Sequence, residues 1–224
     1  MPISLTNTEK RNGLIYFAVS LFVLPFALSL AGIALRLDPA DLNLGFYWIN
    51  LAFVLWIFRQ FLLKNLLIAL DRIFPVVWYA MLGYLGYTTL GDLLSVLIYS
   101  VSPEFVNAND MTVAALIQAS PMLAFAVAIL APITEEVFYR GLVFRGLWDK
   151  NPTLAYIVSV ALFSAVHVTG YMGLLSPLHL LLSFVQYLPA GYCLAFAYRR
   201  SGTILCPILV HIAVNTVAVF SILR

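Results

Sequence analysis

Six residues in the last ninety positions of this chain have side chains and spacings that could do chemistry. Two adjacent glutamates and an arginine stand in TEEVFYRG, as Glu135, Glu136 and Arg140. His167 closes LFSAVH, and His211 and Asn215 stand in PILVHIAVN. The set holds what acyl hydrolysis needs. A carboxylate desolvated among apolar side chains gains proton affinity and suits a general base. Imidazole shares or relays the proton. Asn and His donors stabilise the negative charge that grows on an attacked carbonyl oxygen.

The chain around them makes the set conspicuous. It has 224 residues, is 63% hydrophobic and 10% charged, and has a mean hydropathy of +0.99. Soluble domains are about 45–50% apolar. The composition therefore implies an integral membrane protein, read as one membrane domain over 1–224. A charge at the centre of a bilayer costs roughly 2.5–3.5 kcal/mol on insertion scales, so intramembrane ionisable groups usually mark function. The formal net charge of +2 is too small to suggest nucleic acid, and no nucleic-acid partner is expected. Cys193 and Cys206 lie in apolar segments and read as small core residues, with no zinc or disulfide spacing.

Apolar runs predict seven spans: 13–35, 44–64, 74–101, 119–147, 153–169, 176–198 and 203–222. Prolines in the fourth and sixth could break either and give eight. The fold class is thus all-α, a polytopic bundle with an intramembrane polar cavity. The 22-residue uncharged run Leu14–Leu35 exceeds a signal-peptide core of roughly 7–15 residues and reads as a retained first span. Basic residues follow the even spans and precede the first, while 102–110, SPEFVNAND, is acidic. The positive-inside rule then places the N-terminus inside.

Helix geometry sorts the polar set. Glu136 and Arg140, four apart, share a face and can pair; Glu135 is rotated about 100° away and is left free. His211 and Asn215, also four apart, share a face. At 1.5 Å per residue, Glu135, His167, His211 and Asn215 lie about 18, 21, 12 and 18 Å above the inner ends of their spans, near one depth. Pro132 and Pro207 loosen the backbone nearby, as is tolerated only against protein or a watery cavity. His179 reads as a packing or interfacial residue. Asp92 reads as helix packing or a cavity wall, Gln186 as a possible cavity residue, and Tyr47, Trp48, Trp78 and Trp148 as interfacial aromatics.

EEVFYR, FSAVH and HIAVN, in that order, resemble the EExxxR, FxxxH and HxxxN motifs of the CPBP intramembrane proteases, the CAAX protease and bacteriocin-processing family, over about 120–220. The resemblance implies a glutamate-dependent endopeptidase in a water-accessible bundle. It implies that Glu135 and His167 activate water, that His211 and Asn215 stabilise the oxyanion, and that Glu136 and Arg140 hold the site's shape. Family members trim prenylated proteins or are linked to bacteriocin maturation, bacteriocin immunity and envelope regulation. For this chain it suggests a membrane-associated peptide or protein substrate in a bacterial cytoplasmic membrane. A zinc site of Glu135, His167 and His211 is the alternative to a metal-free mechanism; no HExxH is present, and Asn is a poor zinc ligand. A non-proteolytic scaffold of the same fold is the alternative function. A transporter would call for symmetric repeats, and none is visible.

Overall fold

The computed structural model describes residues 2–224 and is built of helices that carry the site between two chemically different ends. Seven helices are long and apolar enough to span a bilayer: α1 (Asn7–Leu35), α2 (Pro39–Ile57), α4 (Ile73–Val101), α6 (Pro121–Trp148), α7 (Pro152–Thr169), α8 (Pro177–Ser201) and α9 (Leu205–Leu223). Two shorter helices join them, α3 (Arg59–Asp71) and α5 (Ala108–Ala119). Large apolar side chains such as Phe22, Phe26, Ile33, Phe74 and Val96 are exposed around the outside. A soluble protein would hide these; lipid is their natural solvent, and the chain is an integral membrane protein.

Helix starts follow from local chemistry. Thr6 and Glu9 form a reciprocal capping box at α1. Asp38, Asn151 and Ser176 each cap a helix whose next residue is proline, which has no N–H to satisfy. Two ends turn through left-handed residues, Arg36 at φ 54° and Gly202 at φ 80°.

The second span differs from the sequence expectation of 44–64. It starts at Pro39 and stops at Ile57, because Phe58 leaves helical geometry at φ −100°, ψ 18° and a separate helix begins at Arg59. Phe58 is fully buried, and Glu9 accepts the Phe61 N–H at 2.8 Å, so tertiary contacts set this break. Helix α5 lies between the third and fourth expected spans; Asn107 caps it through the Asn109 and Asp110 N–H groups. The sixth span bends at Tyr187, two residues before Pro189, where the sequence allowed a break. Trp148 is not interfacial but buried among Phe144, Tyr156 and Arg199.

Alpha-helical regularity fails in three π-helical stretches, Val19–Val23, Ala126–Leu130 and Val137–Phe144. The first two end just before Pro25 and Pro132. A wider turn moves the carbonyl that a proline ring would strike. The third begins directly after Glu136, and such bulges frequently accompany functional sites.

Small residues bring α8 close to its neighbours. A Cβ on Gly83 of α4 would sit 3.2 Å from Ala197 and 3.3 Å from Val210, and one on Gly191 only 2.9 Å from Val160. At one end Phe58, Phe61, Phe144, Tyr198 and Ile204 form a closed plug of almost zero exposure. Arg145, bonded to Pro2 and Ser4, ties the N-terminal segment over it. Lys10, Arg11, Arg59, Lys64, Arg72, Arg145, Lys150, Arg199 and Arg200 all lie at this end, nine of the twelve Lys and Arg residues. Arg36 and Arg224 lie at the other end with Asp38, Asp41, Glu104 and Asp110. Arg140 sits between.

Candidate active site

The four residue groups expected to meet from α6, α7 and α9 do meet. Helix α6 carries Glu135 and Glu136 at its middle, and their side chains diverge. Glu136 and Arg140 are both completely buried and pair at 3.0 Å. The arginine also donates to the Gly191 carbonyl at 2.9 Å and lies 4.5 Å over the Phe163 ring. One guanidinium thus ties α6 to α8 and α7. Removal of either charged partner would leave an uncompensated buried ion.

Glu136 has a second partner that spacing along one helix could not show. Its Oε1 also lies 2.9 Å from His211 Nδ1. A carboxylate oxygen accepts, so Nδ1 carries the proton, and Nε2 is turned the other way. Helix α9 is fixed further by Asn215, whose Nδ2 donates to the Val127 carbonyl at 3.0 Å, inside the π-helical part of α6.

His167 is oriented by its own helix. Its Nδ1 is 2.7 Å from the Phe163 carbonyl, which can only accept, so this ring also carries its proton on Nδ1. The Tyr187 ring stacks on it at 4.3 Å and 28°. The two Nε2 atoms, of His167 and of His211, each lie 4.0 Å from Glu135 Oε2. That oxygen is buried and makes no hydrogen bond. This carboxylate oxygen therefore faces two imidazole nitrogens, each just beyond direct bonding.

A cavity of about 670 Å³ reaches the site, and Glu135, His167, His211 and Asn215 all line it. Its mouth holds residues that the motif pattern did not single out. Tyr187 donates to Asp110 at 2.8 Å and accepts from Asn109 at 3.0 Å, while Asn107 donates to Gln186 at 2.7 Å. Of these only Gln186 was a sequence candidate, and it does line the cavity. The others come from 102–110 and the α8 bend, and their one sequence signal was a polar NAND tract beside an apolar run. Tyr47 lines the cavity instead of an interfacial belt. Asp92 is exposed and outside the cavity. His179 stacks on Phe105 and bonds Ser176, a packing role.

Residues 117–217 match the sequence pattern described as "Type II CAAX prenyl endopeptidase Rce1-like". This stretch, 101 of the 224 residues, holds all six of the polar residues above and is similar to that family. A Bacillus subtilis (strain 168) protein named "Putative membrane peptidase YdiL" is 33% identical over 112 residues. That alignment covers 50% of this chain and 41% of the relative, so the chain matches well under half of that relative's length. No solved structure matches the chain significantly.

The residues do not fit a metal ion as they are arranged. Among the described residues no three His, Cys, Asp or Glu side chains converge to hold one. Donors on a tetrahedral zinc ion at about 2.1 Å are roughly 3.4 Å apart. The His167–Glu135 and His211–Glu135 pairs are 4.0 Å apart. No step below passes through a metal.

Proposed function

We propose that this protein is an intramembrane endopeptidase of the CPBP family that hydrolyses a peptide bond with water activated by Glu135 and His167. The observation that carries the reading is the buried, unbonded Glu135 Oε2 between two imidazole Nε2 atoms at 4.0 Å. A water held between Glu135 and His167 Nε2 gives up a proton to that pair as its oxygen attacks the carbonyl carbon. The oxyanion is met by the second Nδ2 hydrogen of Asn215, the first being held by Val127, and by His211 when its Nε2 is protonated. Glu136 then serves as counter-charge for that imidazolium as well as for Arg140. When the C–N bond breaks, the proton taken from water passes to the leaving nitrogen. The cavity gives water a way to the site, and the fixed rings supply orientation without reorganisation.

The substrate of this reading is a membrane-associated peptide or protein, the cofactor requirement none, and the location a bacterial cytoplasmic membrane with the N-terminus inside. The test compares membrane peptidomes of cells expressing wild type and Glu135→Gln at equal protein level. Glu135 makes no hydrogen bond to lose, so the variant is expected to fold as wild type. New termini should appear with wild type and fall by at least ~100-fold with the variant, the scale of lost general-base catalysis. Unchanged termini, with any cellular effect retained, would instead favour a scaffold.

A further inference from the structure

We infer that the site is served from the extracytoplasmic face, so that the chain cleaves an exported segment or outward loop and not a cytoplasmic tail; this rests on the peptidase reading above. Two independent asymmetries coincide. The first is electrostatic: nine of twelve cationic residues gather at the end that holds the N-terminus and the α6–α7 and α8–α9 turns. Cytoplasmic loops carry such an excess of Lys and Arg. The second is steric. From Glu135 toward that basic end the bundle is filled by the plug of Phe58, Phe61, Phe144, Tyr198 and Ile204, all at or below 1% exposure.

The cavity runs the other way. Its deep wall is Phe138, Tyr139 and Leu194, and its outer wall reaches Asn109, Asp110 and the last turn of α9 at Ser221 and Ile222. All four of these outer residues lie at the end opposite the basic cluster. Water and a peptide therefore have one polar route to Glu135, and it starts at the acidic end.

The lining narrows the substrate further. No Lys or Arg lines the cavity among the described residues, whereas Glu135 and Asp110 do. A free C-terminal carboxylate drawn to this depth would find two anions and no counter-ion. The cavity thus suits an internal peptide bond in a segment without acidic residues near the cleavage point, in preference to trimming at a chain end.

Cysteine labelling tests the access route without requiring proteolysis. The two native cysteines are buried, so the wild-type chain is the blank. Ser221→Cys marks the mouth, Val214→Cys the cavity one turn from His211, and Lys150→Cys the basic end. With a membrane-impermeant maleimide on intact cells, the first two should label at least ~10-fold faster than Lys150→Cys, which should react only in inverted vesicles. Labelling of Val214→Cys from the Lys150 side only, or from neither side, overturns the inference. A failed Glu135→Gln peptidome overturns the peptidase reading and leaves this labelling pattern untouched, so the two failures are distinguishable.

Discussion

His211 Nδ1 lies 2.9 Å from Glu136 Oε1, the same oxygen that Arg140 holds at 3.0 Å. Glu136 is therefore both half of an ion pair and the group that fixes the tautomer of a site histidine. Glu136→Gln keeps the shape and removes the charge. It should lower stability by about 3–5 kcal/mol, the usual cost of breaking a buried pair. Thermal unfolding in detergent checks this, and cleavage should fall with it. An unshifted midpoint would show that Arg140 finds its compensation elsewhere.

Tyr187 should act through His167 and not on substrate directly. Its ring stacks on the imidazole and its hydroxyl is anchored by Asp110 and Asn109. Tyr187→Phe keeps the stack, and a loss of only a few-fold in kcat is expected. Tyr187→Leu removes it, and a loss of up to ~100-fold is expected, as for a catalytic group displaced by about 1 Å. Equal losses in the two variants would assign the effect to the hydroxyl.

Asn215→Ala removes one proposed oxyanion donor together with its tie to Val127. Loss of such a donor costs about 10²–10³-fold in kcat. KM should change little, because the interaction strengthens only as charge develops. A rise in KM alone would make Asn215 a binding or packing residue.

Metal removal gives a direct reading on the remaining alternative. The proposed mechanism uses no zinc, and the His–Glu separations are 4.0 Å. Purified protein treated with EDTA or phenanthroline and then desalted should keep its full rate. Loss of activity that added zinc restores would replace the water-activation scheme with a metal-bound one.

Much of this was legible in one dimension because membranes impose simple rules. Seven runs of about 20 apolar residues became seven apolar helices, since a backbone in lipid must satisfy its own hydrogen bonds. The i, i+4 spacing of Glu136 and Arg140 became a 3.0 Å pair for the same local reason. The break at Phe58 was not legible, because a plug contact and a cap from Glu9, 52 residues away in sequence, created it. The start of helix α5 was not legible either, because its cap, Asn107, gains its meaning only from the turn it makes.

The sequence by itself determined which residues could do chemistry, which helices carry them and at what depth, because those depend on residue type and a fixed rise per residue. Only the tertiary structure decided who touches whom. It gave Glu136 to His211 as well as to Arg140, left Glu135 Oε2 facing two Nε2 atoms, and laid Tyr187 on His167. It also decided which end of the bundle is closed. These are contacts between residues 20 to 80 positions apart, set by how glycine-lined helix faces approach, and no periodicity along a single helix encodes them.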